Sequence, residues 1–337
     1  MNAKGSKVVV FGAYGHTARF VVAEIQKRGL IPILSGRDAS KLNAFASELR
    51  DSEVRIATVD DTVALDRAMA GASAVINCAG PFRDTANPVV EAALRARVHY
   101  LDIAAEQPAV LGLFERFASP AREAGVVVVP AMAFYGGLGD LLATAAMGDW
   151  TTADEILVGT ALDSWRPTRG TRLTGRRNPD QHVTFSNNQL ELSDPPPRIW
   201  TFPAPFGQQE VVGLSLAETI TISRHIRAPQ IHAYINLAPI KDISNPDTPA
   251  PTAIDESGRS SQVFLMEVIA RKGSAKRRAV ARGRDIYAIT APIVVEAAER
   301  VVNGLAKERG VVAAGEAFDA QDFLMSLAPT YLSFEIR

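Results

Sequence analysis

Val8-Val-Val-Phe11-Gly12-Ala-Tyr14-Gly15-His16-Thr17-Ala18 decides the fold of this chain. The apolar run reads as a buried strand, and the glycines turn it into residues 17–28, where apolar side chains recur at helical spacing. A glycine pattern gains meaning when it joins a strand to a helix in this way. Gly12 permits the tight turn, Gly15 lets the backbone approach a pyrophosphate, and Ala18 is small enough for close helix–sheet packing. Phosphates would sit on the exposed N–H groups at the helix start, at the positive end of its dipole, with Tyr14, His16 and Thr17 beside them. The spacing is GxxGxxA, a variant of GxGxxG.

The strand–helix rhythm continues outward. Further strands are expected at 31–34, 54–59, 74–77, 100–103 and 126–129, with helices at 40–49, 63–69, 88–97 and 108–123 between them. Alternation of this kind means right-handed crossovers and a parallel sheet covered on both faces. The expected class is α/β, a Rossmann-type doubly wound parallel sheet over residues 1–150. Residues 151–284 differ in texture. Alternating stretches such as His182-Val-Thr-Phe-Ser and Thr219-Ile-Thr-Ile-Ser, broken by proline clusters, predict a second α+β domain with a largely antiparallel sheet. Segment 244–261 reads as a surface loop. Helices at 287–304 and 320–327 are expected to return residues 285–337 to the first domain.

The end of the second strand selects the nucleotide. An NAD site usually carries an acid there for the ribose 2′-hydroxyl. Here the sequence is Ser35-Gly36-Arg37-Asp38. The planar fork of Arg37 suits a 2′-phosphate, Ser35 could add a hydrogen bond, and Lys41 lies one helical turn on. NADP(H) is therefore the expected cofactor. Asn77-Cys-Ala79-Gly80-Pro81-Phe82 follows the fourth strand, and its small residues would let the cofactor cross the sheet edge. Cys78 reads as a packing residue.

Bulk properties agree with a metabolic protein. Of 337 residues, 36 are Lys or Arg and 37 Asp or Glu, for a net charge of −1, which gives no pull toward nucleic acid or an anionic membrane. One cysteine excludes an internal disulfide. The start does not read as a signal peptide, and no apolar run reaches the roughly 20 residues of a membrane helix. A cytoplasmic protein acting on a small-molecule substrate is expected.

Gly12-Ala-Tyr-Gly15-His-Thr-Ala18, Ser35-Gly36-Arg37, Val75-Ile-Asn-Cys-Ala-Gly80-Pro81-Phe82 and His99-Tyr-Leu-Asp102, in this order, resemble the saccharopine dehydrogenase-like reductases, which include trans-acting enoyl reductases. The resemblance is dense over residues 7–145. It implies an NADP-binding Rossmann domain, an inserted α/β substrate domain, and C-terminal helices that return to the first domain. Many relatives carry a Gly-Phe-Asp-x-x-Pro-like turn after the sixth strand; here it reads Ala131-Met-Ala-Phe134-Tyr135-Gly136-Gly137-Leu-Gly139-Asp140.

Hydride transfer needs a positioned proton donor more than a nucleophile. Tyr135 could donate to a carbonyl or imine if its pKa is lowered, or its ring could simply pack over the nicotinamide, with Gly136 alongside. Asp102 could act catalytically or hold backbone N–H groups in the following loop. Glu106, and Arg166 and Arg169 from the Trp165-Arg-Pro-Thr-Arg169 turn, are substrate-binding candidates; the arginines could equally lie in a solvated loop. His225 is the histidine best placed to titrate, although a structural role suits it better, and no histidine spacing suggests a metal. The expected function is an NADP(H)-dependent oxidoreductase reducing a C=N, C=C or C=O bond of a small metabolite. A non-catalytic NADP(H)-sensing module and a reductase of carrier-tethered substrates are the other two readings, and a homodimer through the second domain is left open.

Overall fold

The opening apolar run is β1 (Lys7–Phe11), and the glycine turn leads into α1 (His16–Lys27). In this computed structural model, which describes residues 3–49, 52–177 and 182–337, the chain forms two units. The first takes the chain up to Ala133, with Thr290–Val312 and Glu316–Phe318. It continues through β2 (Ile31–Gly36), α2 (Ala39–Ser47), β3 (Glu53–Ile56), α3 (Thr62–Met69), β4 (Ala74–Asn77), α4 (Phe82–Ala96), β5 (His99–Asp102), α5 (Gln107–Ala124) and β6 (Val127–Val129). A two-residue strand, Gly310–Val311, pairs with β6, so the parallel sheet has seven strands: Gly310–Val311, β6, β5, β4, β1, β2, β3. Strand order reverses between β1 and β4, which is where open sheets of this kind bind ligands, beyond the strands' carboxyl ends.

Burial explains the architecture. Ala18, Val21, Val22 and Ile25 form the buried stripe of α1. Val9, Phe11, Ile33, Val75, Tyr100 and Val128 of the sheet share a core with Leu65, Met69, Val89, Val90, Leu113 and Phe117 of the helices. The register aligns the strand ends: Phe11 pairs with both Ser35 and Asn77, and Asn77 pairs with Asp102. Ser35, Asn77 and Asp102 thus come to one edge of one sheet.

The second unit comprises Phe134–Ile289, Ala313–Gly315 and Asp319–Arg337. Its elements are α6 (Gly139–Met147), β7 (Glu155–Leu162), α7 (Arg169–Arg177), β8 (Thr184–Ser186), β9 (Gln189–Glu191), β10 (Arg198–Thr201), β11 (Gln208–Gly213), α8 (Ala217–His225), β12 (Ile231–Asn236), α9 (Leu237–Ser244), β13 (Val263–Lys272), β14 (Ala275–Arg284) and the first turn of α10 (Ile286–Val302), which from Thr290 on belongs to the first unit. After α10 come β15 (Gly310–Val311), α11 (Ala314–Ala317), α12 (Ala320–Leu327) and β16 (Leu332–Ile336). The sheet runs β10-β11-β12-β7-β13-β14-β16 and is antiparallel except for the β7–β12 pair. Its core includes Leu157, Trp200, Phe202, Val211, Tyr234 and Leu265.

Several expectations are corrected in detail. The second unit begins at Phe134, before the boundary expected at 150, because α6 packs on β13, β14, α8 and α12. Residues 285–337 divide: Thr290–Val312 joins the first unit, while Asp319–Arg337 joins the second and adds a strand, β16, to its sheet. The alternating Thr219-Ile-Thr-Ile-Ser stretch is helix α8, not a strand. The turn after Trp165 is followed by a helix, α7, and α4 starts at Phe82, well before Pro88.

Candidate functional site

The glycine turn has the shape its reading requires. Gly12 sits at φ +83°, and a Cβ there would lie 2.9 Å from Ala79 Cα, so the turn presses directly on the segment after β4. Gly12 and Ala13 donate their N–H groups to Ser35 O at 2.8 and 3.1 Å, and Gly15 N–H reaches back to Gly12 O at 3.0 Å. Gly15 is the N-cap of α1; no side chain caps this helix and no acid lies in its first turn. The positive end of the α1 dipole is therefore opposed by no capping side chain or first-turn acid, which suits an anion. His16 packs edge-on against Phe20, with ring centroids 5.4 Å apart. Thr17 is half-buried beside it.

The end of β2 faces the same turn. Tyr14 lies over Gly36, where a Cβ would meet its ring at 3.3 Å, and Lys41 Nζ stands 5.6 Å from the ring centroid. Arg37 is exposed. Asp38 caps α2 by accepting Lys41 N–H at 3.0 Å and pairs with Lys41 Nζ at 2.8 Å. The Lys41 contacts hold the Asp38 carboxyl below its ordinary range. Asp38 is thus engaged as a cap, while Arg37 is exposed at the end of β2. Ser35 is fully buried in β2 and its Oγ has no hydrogen-bond partner among the described residues.

Three candidates of the first unit turn out to hold the strand-end loops. Asn77 was expected to touch cofactor. Its side chain instead faces inward, accepting Ala79 N–H at 3.0 Å and donating to Tyr100 Oη at 3.2 Å and Thr85 Oγ1 at 3.3 Å. Glu106, expected to bind substrate, accepts the N–H groups of Phe82 at 2.8 Å and Arg83 at 3.1 Å. It caps α4, fixing Gly80, Pro81 and Phe82 after β4. Asp102 is wholly buried. Oδ1 accepts Ala131 N–H at 2.7 Å and Ala104 N–H at 3.0 Å, and Oδ2 accepts the Tyr100 hydroxyl at 2.9 Å. Burial outweighs these donors and pushes the carboxyl up to about 6. Burial likewise raises the Cys78 thiol, which makes it unreactive.

In the second unit, Phe134–Leu138 is a kinked turn in which Gly136 takes φ +97°, a conformation that favours glycine. Tyr135 stacks on Trp165, centroids 5.5 Å apart, and Phe134 meets Tyr135 and Phe264 edge-on. Tyr135 Oη is buried without a partner, and burial, then the neighbouring Glu218, pushes its pKa up. Tyr287 Oη accepts Trp165 Nε1–H at 3.1 Å and Thr168 N–H at 3.3 Å and shares a 2.9 Å bond with Thr171. Arg166 edges a small cavity with Ser164, Ser260, Gln262 and Tyr287, while Arg169 is exposed at the start of α7. His225 bonds Asp140 at 2.6 Å, and Gly315 N–H donates to the other Asp140 oxygen at 3.2 Å, a structural arrangement. Among the described residues, no group of His, Cys, Asp and Glu is placed to hold a metal ion.

Sequence reasoning placed Glu218 on an alternating stretch with Arg224 and His225 and gave it no role. It is 2% exposed; Oε1 accepts Leu216 N–H at 3.1 Å, and no basic side chain pairs with it among the described residues. Burial pushes its carboxyl up to about 7. The signal available was an acid surrounded by Ala, Thr and Ile in a stretch with no neighbouring base.

Residues 8–129 match the family model of the saccharopine dehydrogenase NADP binding domain. A saccharopine dehydrogenase-like oxidoreductase of Bos taurus is 30% identical over 145 residues, covering 38% of this chain and 34% of the relative. A probable mitochondrial saccharopine dehydrogenase-like oxidoreductase of Arabidopsis thaliana is 31% identical over 142 residues, covering 38% of this chain and 31% of the relative. The chain thus matches about a third of these curated relatives' length. Apo saccharopine dehydrogenase (L-Glu forming) from Saccharomyces cerevisiae shares the fold, with TM-score 0.67 over 99% of this chain and 100% of that chain at 13% identity. Residues 8–129 thus carry the NADP-binding pattern that this family model describes, on a fold shared with saccharopine dehydrogenase. Among the described residues, no helix is long and apolar enough to cross a membrane.

Proposed function

We propose that this chain, whose residues 8–129 form a saccharopine dehydrogenase-type NADP binding domain, is an NADP(H)-dependent oxidoreductase acting on a C=N, C=C or C=O bond of a small metabolite. The contact of Gly12 with Ala79 beside the uncapped start of α1 carries this proposal: any side chain at Gly12 would overlap the β4 segment, and the unopposed positive end of the α1 dipole suits a pyrophosphate. NADPH, when bound, supplies the hydride. The start of α1 holds the pyrophosphate, and the Arg37 fork reads the 2′-phosphate, with Lys41 adding charge beside Asp38. Tyr14 and Gly36 form the floor under the adenosine end. Asn77, Asp102 and Glu106 position the loops rather than touch ligand. Tyr135 supplies the proton, and Arg166 and Arg169 meet an acidic part of the substrate; the buried, unpartnered Tyr135 hydroxyl supports the first assignment.

This proposal includes a cytoplasmic location and a homodimer through the second unit. The dimer is supported by Ile199, 59% exposed on the edge strand β10. Fluorescence titration with NADPH and separately with NADH tests the cofactor assignment. NADPH should bind at least about tenfold tighter, a difference of about 1.4 kcal/mol, and Arg37→Ala should remove that preference. Tighter binding of NADH would transfer the ribose contact to Asp38, and absence of binding by either would end the oxidoreductase proposal. Sedimentation at several concentrations tests the dimer.

A further inference from the structure

A buried polar group without a partner costs about 1–3 kcal/mol, so such groups are scarce in folded proteins. Four of them gather on two short segments of the second unit: Tyr135 Oη in the kinked turn, and Ser215 Oγ, Glu218 Oε2 and Thr219 Oγ1 around the start of α8. All four residues are more than nine-tenths buried, Tyr135 at 8% exposure, Glu218 at 2%, Ser215 and Thr219 at 0%. The two segments pack against each other. A Cβ on Gly139 would lie 3.1 Å from Glu218 Cβ, and the Gly136 N–H faces the Glu218 carboxyl. The helix's own donors and acceptors do not use these atoms: Leu216 N–H is taken by Glu218 Oε1, and Thr221 and Ser223 bond the carbonyls of Glu218 and Ile220.

The chemistry of the four atoms narrows what would satisfy them. Three are hydroxyls, which both donate and accept. The fourth is a carboxyl without a cationic partner among the described residues, pushed up by burial to about 7, and in its neutral form it also donates. No cation is present in the cluster to neutralise a phosphate or carboxylate, and an ionised Glu218 would repel one. A neutral oxygen fits: a carbonyl, with two lone pairs, accepts from two of these groups, and a hydroxyl can donate to one and accept from another.

We propose that the kinked turn at Tyr135 and the start of α8 form a binding site for the oxygen of an uncharged carbonyl or alcohol ligand, lined by Tyr135, Ser215, Glu218 and Thr219. This rests on the oxidoreductase proposal only for identifying that ligand with the substrate, where it selects a carbonyl–alcohol pair over an imine or an enoyl bond. The occupant it excludes is a cluster of ordered waters that would satisfy the same atoms permanently.

The test uses the full chain without any nicotinamide nucleotide, so that failure of NADPH binding and failure of this site are separate results. Methyl resonances of Thr219 and Ile220 are followed by NMR as acetone, 2-propanol and acetate are added in turn. Acetone and 2-propanol should shift them saturably, and acetate should not. Tyr135→Phe should weaken both neutral probes about fivefold, the value of one lost neutral hydrogen bond of about 1 kcal/mol. No shift with either neutral probe, an equal shift with acetate, or unchanged affinity in Tyr135→Phe would overturn the proposal. Thr219→Val gives a second readout in the same preparation. An orphan hydroxyl replaced by a methyl should leave the melting temperature unchanged or raise it by about 2 °C. A clear fall would show that the hydroxyl already has a water partner, which also overturns the proposal.

Discussion

Replacing Asp102 by Asn should change how stability depends on pH, and the sign follows from the structure. Asp102 is wholly buried and its carboxyl is pushed up from 3.8 to about 6, first by burial, with Glu106 adding repulsion and the Ala104, Ala131 and Tyr100 donors opposing it. Between those two values the folded protein holds a proton that the unfolded chain has released. Stability contributed by this group is therefore greatest in acid and falls as pH rises through the window from about 4 to about 6. At 1.36 kcal/mol per unit, the loss amounts to about 3 kcal/mol by pH 7. Asn has the same shape, and its Oδ1 can accept the same N–H groups from Ala131 and Ala104, but it does not titrate. The variant minus wild-type stability should thus climb by about 3 kcal/mol from pH 4 to pH 7, the difference cancelling every other titrating group. Trp150, Trp165 and Trp200 all lie in the second unit, so tryptophan fluorescence would watch the wrong region. Hydrogen exchange at the Ala104 and Ala131 amides, measured across that range, reports the relevant one. A pH-independent difference would mean that the folded carboxyl titrates normally. A difference that falls with pH would mean that its three donors hold the anion better than water does, and would refute the assignment of burial as the dominant cause.

Three further outcomes follow from particular contacts. Gly12→Ala places a Cβ 2.9 Å from Ala79 Cα at φ +83°, so it should cost about 2 kcal/mol in stability and abolish NADPH binding, checked by thermal melting and fluorescence titration. Glu106→Ala removes the acceptor for the Phe82 and Arg83 N–H groups and should cost about 1–2 kcal/mol, lowering the melting temperature while NADPH affinity changes little; a selective loss of ligand binding would restore the substrate-binding role read from sequence. Arg28 pairs with Glu24 on its own helix and with Glu296 and Glu299 of α10. Arg28→Ala should therefore destabilise the first unit by about 3 kcal/mol at neutral pH, read by urea unfolding under circular dichroism, and less in acid, where the stranded carboxylates protonate.

How much of this was legible in the chain depends on whether the deciding contact was local. The first sheet was readable because each of its strands is a short apolar run and each helix carries its own stripe, so the pattern and the burial coincide, as in Val8 to Phe11 and the Ala18, Val21, Val22, Ile25 face. The glycine turn was readable for the same reason: Gly12 and Gly15 are needed by the backbone itself. The strand Gly310–Val311 was not, since two residues carry no period and exist as a strand only through β6. Pro88 suggested a helix start, yet α4 begins at Phe82 because Glu106, from beyond the next strand, caps it.

Glu218 shows the same limit at the site. Thr219-Ile-Thr-Ile alternates like a strand, and β-branched residues favour one. The stretch is helical because residues 217–222 are buried on every side, which removes the amphipathic signature, and because Thr221 and Ser223 give their hydroxyls to the helix's own carbonyls. With the strand period removed, Thr219 lies in the first turn of α8, and Glu218 turns toward the peptide that follows Tyr135. A period-two reading sets Glu218 apart from Thr219 on opposite faces and Tyr135 in an unrelated loop. The cluster of unpartnered polar atoms is therefore a product of the tertiary fold, and no local pattern could have announced it.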